Sequence, residues 1–434
     1  MKESKTSMKE LMIDANALEG TITIPGDKSI SHRAIMFASI AKGTTKIEGF
    51  LHAEDCISTM NIFRDLGVQI DEEADESIIV HGKGIEGLTA PDHALDAGNS
   101  GTTMRLLAGL FSGFPFKIKM IGDESLSKRP MNRVMLPLRQ MGASISGSEG
   151  SEFAPLYIQP VDHLNAIEYD MPVASAQVKS SILLAGLTAE GTTIIHEKER
   201  SRDHTENMLK NFGVELKVDD KDIYLEGGQS LTATDIKVPA DISSAAFFIV
   251  AALLVKGSKL HMPNVGLNPT RAGIIEVLNK MGANIETYFH EGGLSGDLTV
   301  SASDLKATEF GGDIIPALID EIPIIALAAT QAEGRTVIRN AEELKVKETD
   351  RIQVTAQELN KMGANIEETE DGMIITGPTP LHAADVDSYG DHRIGMMLQV
   401  AALLVKEGTV NLARSEAVNI SFPSFFDDLA ALSA

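Results

Sequence analysis

Cationic side chains in this chain gather where helices should begin. The stretch Pro25-Gly26-Asp27-Lys28-Ser29-Ile30-Ser31-His32-Arg33 sets Lys28 and Arg33 around the start of an Ala-rich run. Asn99, Ser100, Gly101, Thr102 and Arg105 open a second such run, and Ser175, Gln177 and Lys179 a third. Asp241 opens a fourth, Asp320 and Glu321 a fifth, and Asp391, His392 and Arg393 a sixth. A helix N-terminus presents unpaired N–H groups and about half a positive charge. It is a ready anion site, whereas a cation there is unfavourable by ~0.3–1 kcal/mol. Lys28, Arg105 and Arg393 therefore need a counter-charge, and an anion shared by several helix starts would supply it. For any one helix, Asp27, Asn99, Ser175, Asp241 and Asp391 are ordinary N-caps and the bases turn to water. For four of the six starts together, the anion site is the better account.

Other charged stretches carry weaker signals. In Leu344–Arg351 (LKVKETDR), Lys347 and Arg351 share a face if the run is helical, and Glu343 and Glu348 offset them in a solvated helix. Glu348 beside Lys347 would otherwise work against a bound phosphate. Gly122–Met131 (GDESLSKRPM) reads as a solvated turn carrying Lys128 and Arg129. Asp320 and Glu321 interrupt an apolar run, and buried acids are rare unless paired, so at least one has a partner or a task. Arg202-Asp203-His204-Thr205-Glu206 has the spacing of a capping box. Gly82–Gly87 fits G-x-G-x-x-G after a strand-like run, but Leu88-Thr89-Ala90-Pro91 follows instead of a helix, so the phosphate-binding context is missing. The histidines from His52 to His382 show no metal-ligand spacing and read as surface or structural residues.

These residues are positioned by a repeated pattern. Each Ala-rich helix is followed by a Gly and a short β-branched run, and the six pivots are Gly43, Gly113, Gly191, Gly257, Gly334 and Gly408, 66 to 78 residues apart. Helices apolar all round are buried ones. A second phrase recurs five times: FRDLGVQI from Phe63, LRQMGASI from Leu138, LKNFGVEL from Leu209, and LNKMGANI from Leu278 and Leu359. It reads as an amphipathic helix stopped by Gly and followed by a strand. The period is too long for a solenoid. It predicts an α/β (α+β type) architecture of two pseudo-symmetric domains with three repeats each: 26–238, and 1–25 plus 239–434. Ile24-Pro25-Gly26-Asp27 and Val238-Pro239-Ala240-Asp241 are the paired crossovers, and the helix starts of both halves are expected to face a shared cleft. Leu18–Ile24 alternates like a strand, and residues 1–10 read as a frayed tail.

Composition bounds the rest. A chain of 434 residues suits two or more domains. The net charge of −24 argues against nucleic acid or an acidic membrane as partner, so any anion site is a local basic cleft in an acidic body. Cys56 is the single cysteine, which excludes an internal disulfide and suits a reducing compartment. The N-terminus lacks the apolar core of a secretory signal, and no apolar run reaches the ~20 residues of a membrane span. A cytoplasmic location is expected.

In register, PGDKSISHR, GNSGTTMR, GDESLSKRPM, SAQVKS, SRDHTE, the IDEIP acid, KVKETDRI and GDHRIGM closely resemble the 5-enolpyruvylshikimate-3-phosphate synthase family over about residues 20–425. The resemblance implies the enolpyruvyl transferase fold, in which each domain is built of three βαβαββ units with buried parallel helices. It implies transfer of the enolpyruvyl group of phosphoenolpyruvate to the 5-hydroxyl of shikimate 3-phosphate, without metal or organic cofactor, by a monomer. Lys28 would touch both substrates. Ser29, Arg33, Ser175, Ala176, Gln177, Arg202, Asp320 and Lys347 would hold shikimate 3-phosphate. Gly101, Arg129, Gln177, Arg351, His392 and Arg393 would hold phosphoenolpyruvate, with Asn99 and Thr102 shaping the turn. Asp320 would take the hydroxyl proton, and Glu348 with Lys28 would protonate the methylene carbon. Leu106, Ala176, Glu343 and the absence of Lys before Phe422-Pro423 depart from some members and resemble the subgroup that includes glyphosate-tolerant enzymes; Gly101 leaves room for that inhibitor. Two other readings compete. One is a UDP-N-acetylglucosamine enolpyruvyl transferase, against which the 122–131 loop lacks Cys. The other is a non-catalytic phosphometabolite-binding protein, against which Asp320 and Glu348 are present.

Overall fold

The computed structural model describes residues 8–433. The chain divides into two compact units, Gly26–Val238 and Met1–Pro25 with Pro239–Ala434, each with its own apolar core.

Gly26–Val238 contains helices α1 (Lys28–Ile40), α2 (Glu54–Asp65), α3 (Gly101–Phe111), α4 (Asn132–Gln140), α5 (Ala176–Gly186) and α6 (His204–Asn211). The Ala- and Leu-rich α1, α3 and α5 are buried almost throughout, because small apolar side chains on every face leave nothing to present to water. In the third repeat, Glu168–Asp170 precedes α5 and lies parallel to Thr192–His196, which follows it. Thr192–His196 then pairs antiparallel with Asp222–Glu226, and that strand with Leu216–Asp219. Leu95–Asp96, Ile118–Ile121, Leu156–Gln159 and Ser144–Ser146 repeat this order around α3 and α4. The first repeat borrows its leading strand from the far end of the unit: Leu231–Thr232 and Ile236–Lys237 run parallel to Ala41–Glu48.

The other unit carries α7 (Ile242–Leu254), α8 (Gly273–Lys280), α9 (Ile322–Gln331), α10 (Arg351–Lys361), α11 (His392–Ala402) and α12 (Phe425–Leu432). Its first repeat begins with Glu19–Thr21, parallel to Lys259–Gly266 and shorter than the alternation over Leu18–Ile24 suggests. The third repeat is cut short. Asp385–Asp387 runs parallel to Asn411–Ala413 across α11, but the antiparallel neighbour of Asn411–Ala413 is Met8–Glu10. The expected frayed tail is therefore corrected for residues 8–10, which are a paired strand; residues 1–7 lie outside the described residues. This substitution also explains why the second phrase occurs five times and not six.

The glycines of that phrase behave alike. Gly67, Gly142, Gly213, Gly282 and Gly363 have φ of +83° to +99°, the left-handed stop that lets a helix hand over to a strand. Gly109 has another role. A Cβ there would lie 2.0 Å from the Ser181 carbonyl oxygen, so α3 and α5 approach backbone to backbone.

Candidate active site

Helix starts carry the functional side chains, and within each unit they meet. In Gly26–Val238, Asp27 Oδ1 accepts from Ile30 N at 2.8 Å and caps α1. Lys28 follows as the first helical residue, and its Nζ lies 3.1 Å from Asp55. Arg33, one turn on, is buried. Its Nε donates to Thr205 Oγ1 at 2.8 Å, its Nη2 to Ser180 Oγ at 3.0 Å and its Nη1 to the Ser29 carbonyl at 2.9 Å. Burial pulls its pKa down to about 10, with Arg202 acting the same way and Asp27 and Glu206 opposing. A polar chain then crosses to α3: His32 Nδ1 is 2.7 Å from Thr59 Oγ1, which is 2.7 Å from Thr103 Oγ1.

The cap of α3 is Ser100, whose Oγ accepts from Thr103 N at 3.1 Å. Asn99 is thereby corrected from N-cap to bridge. Its Oδ1 accepts from Arg129 Nη2 at 2.9 Å, and its Nδ2 donates to Asp123 at 2.7 Å. The 122–131 segment is more than a solvated turn, since Leu126 is fully buried and Arg129 reaches α3 while Lys128 pairs with exposed Glu124. A Cβ on Gly101 would sit 3.0 Å from Arg105 Nη1 and 3.4 Å from Arg129 Nη1, so the missing side chain leaves both guanidinium groups in place. Arg105 Nη1 donates to Gln177 Oε1 at 2.7 Å, and Gln177 Nε2 to Thr102 Oγ1 at 3.1 Å. Ser175 caps α5 through Val178 N, and Ala176 begins it, half-buried. Arg202 lies half-buried just before α6. The capping box expected there is absent: Glu206 turns instead to Lys179, 2.7 Å away, and Lys179 also meets Glu197 at 3.2 Å.

In the other unit the same logic gathers α9, α10 and α11. Lys347 has an extended backbone after a short 3₁₀ turn, and Arg351 opens α10. The expected shared helical face is therefore corrected; what joins the two is Asp320, 3.6 Å from Lys347 Nζ and 3.1 Å from Arg351 Nη1. Arg351 is held by three carboxylates. Its Nε donates to Asp391 at 2.7 Å and its Nη2 to Glu348 at 2.6 Å. Burial would lower its pKa, but Asp391, Glu348 and Asp320 together raise it above its usual value. Asp391 also caps α11 through Arg393 N at 2.9 Å. His392, first in α11, is buried. Arg393 is held more loosely, 4.0 Å from Asp320 and 3.7 Å from Glu321. Both acids of the IDEIP stretch thus have partners, Glu321 also binding Arg271. Sequence reasoning missed Arg271, Asp55 and the Lys179–Glu197–Glu206 cluster. The apolar surroundings of Glu321 and Lys179 were a usable signal, since an isolated buried charge is unstable.

The EPSP synthase family model (3-phosphoshikimate 1-carboxyvinyltransferase) matches residues 13–429. The chain belongs to the EPSP synthase family. Curated relatives named 3-phosphoshikimate 1-carboxyvinyltransferase include one from Listeria monocytogenes serotype 4a, 58% identical over 98% of this chain and 99% of its own. Another, from Streptococcus thermophilus, is 55% identical with the same coverage. A solved EPSP synthase from Acinetobacter baumannii superposes with TM-score 0.87 at 44% identity over 98% of both chains. The enolpyruvyl transferase NikO of Streptomyces tendae, at 20% identity and TM-score 0.79, shares the fold. The chain thus has the mixed α/β enolpyruvyl transferase fold expected from its motifs. The EPSP synthase motifs fall as two groups: Lys28, Ser29, Arg33, Asn99, Gly101, Thr102, Arg129, Ser175, Ala176, Gln177 and Arg202 in one unit, and Asp320, Lys347, Glu348, Arg351, His392 and Arg393 in the other. Among the described residues no helix is long and apolar enough to cross a membrane.

Proposed function

We propose that this enzyme transfers the enolpyruvyl group of phosphoenolpyruvate to the 5-hydroxyl of shikimate 3-phosphate and releases phosphate, a step towards chorismate and aromatic amino acids. The observation that carries the reading is the Asp320 cluster: a carboxylate able to act as base stands among Lys347, Arg351 and Arg393, with Glu348 bound to the same Arg351. Phosphate and carboxylate ligands need fixed cations, and Arg meets them with a planar fork. Asp320 takes the 5-hydroxyl proton as the oxygen attacks C2 of phosphoenolpyruvate. Glu348, with Lys28, delivers a proton to the methylene carbon, giving a tetrahedral ketal phosphate. Return of a methyl proton to Glu348 and departure of phosphate, which carries off the hydroxyl proton from Asp320, then restore the double bond. Ser29, Arg33, Ser175, Ala176, Gln177, Arg202 and Lys347 hold the shikimate partner. Gly101, Arg129, Arg351, His392 and Arg393 hold phosphoenolpyruvate, and Asn99 and Thr102 shape the turn beside it. Fixing both anions away from water is the larger part of the acceleration.

The enzyme works as a cytoplasmic monomer on these two small molecules, without nucleic acid, membrane, metal or organic cofactor. Phosphate release from phosphoenolpyruvate tests the reading. It is expected with shikimate 3-phosphate and absent with UDP-N-acetylglucosamine; release with neither would leave the anion clusters without this chemistry.

A further inference from the structure

We propose that Arg271 and Glu321 form a buried positioning pair that holds Arg393 in place, and so governs phosphoenolpyruvate binding in the reaction proposed above. Glu321 has no exposed side-chain surface. Both its oxygens lie 3.1 Å from Arg271 Nη1, and the Ser243 hydroxyl donates to Oε1. Arg271 Nη2 donates to Ser243 and approaches Asp241, the cap of α7, at 3.3 Å. Arg393 Nη1 stands 3.7 Å from Glu321 Oε1, the oxygen that Arg271 and Ser243 also bind.

The arrangement repeats a neighbouring one. Arg271, just ahead of α8, reaches the capping Asp241 of a buried helix, as Arg351 at the start of α10 reaches the capping Asp391. Each then takes one of two adjacent acids: Arg351 takes Asp320, and Arg271 takes Glu321. Arg393 touches both acids. Asp320 changes charge when it accepts a proton, and its pull on Arg393 weakens at that moment. Glu321 lies outside the proton transfer and is locked by Arg271 and Ser243. Its contacts do not change with the proton transfer, so the guanidinium stays where the ligand needs it.

Steady-state kinetics of Glu321→Gln test this. The KM for phosphoenolpyruvate is expected to rise about tenfold, the scale of one charge-assisted contact, while the KM for shikimate 3-phosphate moves less than about twofold. Arg271→Lys, which cannot fork onto Glu321 and Asp241, is expected to follow in the same direction. A folded Glu321→Gln enzyme with an unchanged phosphoenolpyruvate KM, or with both KM values raised alike, overturns the proposal. Should Glu321→Gln not fold, Ser243→Ala keeps both charges and carries the test: about a twofold to threefold rise is expected, and no rise overturns the pair. Should the unmodified enzyme turn over neither substrate, the functional reading falls, and the pair is judged by a ligand-free crystal structure of Glu321→Gln or, if that variant does not fold, of Ser243→Ala. Arg393 displaced supports it; Arg393 in its present place refutes it.

Discussion

Arg33 and Arg351 are both buried, and their surroundings push them in opposite directions. Arg33 meets only neutral acceptors, and burial lowers its pKa to about 10. Arg351 is enclosed by three carboxylates that overcome the same burial. Asp27 and Glu206 only partly offset the burial of Arg33, so an incoming phosphate would add a direct counter-charge there, whereas it must compete for Arg351. Of the three cations expected to need an anion, Lys28 has Asp55 and Arg393 has Asp320 and Glu321 as internal carboxylate partners, while Arg105 bonds Gln177. Asp320→Ala is expected to lower kcat by about 10²–10⁴-fold, the range of a lost general base, while titration still shows both substrates binding. Near-normal kcat would remove Asp320 from the chemistry. His32 gives a pH prediction. Burial, with Lys28 and Arg33 beside it, holds its imidazole well below the usual range. It is neutral when folded and takes a proton when unfolded below about pH 6.5. The unfolded state then binds more protons, so stability falls as pH drops through that value, by up to ~1.4 kcal/mol per pH unit until the folded pKa is reached. His93 and His196, raised by hydrogen bonds to Asp92 and Asp222, act above that value and in the opposite sense. Between pH 6.5 and 5, His32→Gln should lose less Tm than the parent, and equal losses would refute the assignment. Lys28 and Arg33 were legible because a capped helix start is local sequence. Arg271 and Glu321, 50 positions apart, share no local pattern, so only folding reveals the pair.

At the scale of the element, capping and close approach decide the geometry. Ser100 rather than Asn99 caps α3, because the residue nearer the helix satisfies Thr103 N and frees Asn99 to hold Arg129. From sequence, Asn and Ser are equally good caps, so the one-residue choice was not legible, although the helix was. The contact of α3 with α5 was not legible either, since Gly109 lies within an apolar run that any buried helix would show. A methyl at Gly109 would come 2.0 Å from the Ser181 carbonyl oxygen, and that partner is backbone, which cannot swing aside. Gly109→Ala is therefore expected to destabilise Gly26–Val238 by about 1–3 kcal/mol or more through overpacking. It should also raise KM for both substrates, since Thr102 and Arg105 on α3 bond Gln177 on α5. Thermal melting with unchanged Tm would mean the helices separate at little cost.

For the whole molecule, the sequence did not reveal how each unit closes its first sheet. A two- or three-residue strand has no periodicity, and its partner lies far along the chain. Gly26–Val238 closes that sheet with its own Leu231–Thr232 and Ile236–Lys237. Pro239–Ala434 cannot. It takes Glu19–Thr21 beside Lys259–Gly266 and Met8–Glu10 beside Asn411–Ala413. Backbone bonds from Leu11 to Val410 and from Ile22 to His261, both 2.9 Å, extend these pairings. Leu11, Leu18, Ile22 and Ile24 are buried in the same core. At about 1.5–3 kcal/mol for each fully buried side chain, these four contribute roughly 6–12 kcal/mol as an upper bound, as much as the roughly 5–15 kcal/mol net stability of a whole domain. Residues 26–238 expressed alone should therefore unfold in one cooperative transition. Residues 239–434 alone should lack one and bind a dye for exposed apolar surface until a peptide of residues 1–25 is added. A cooperative melt of 239–434 without the peptide would show that the N-terminal strands decorate that core and do not complete it.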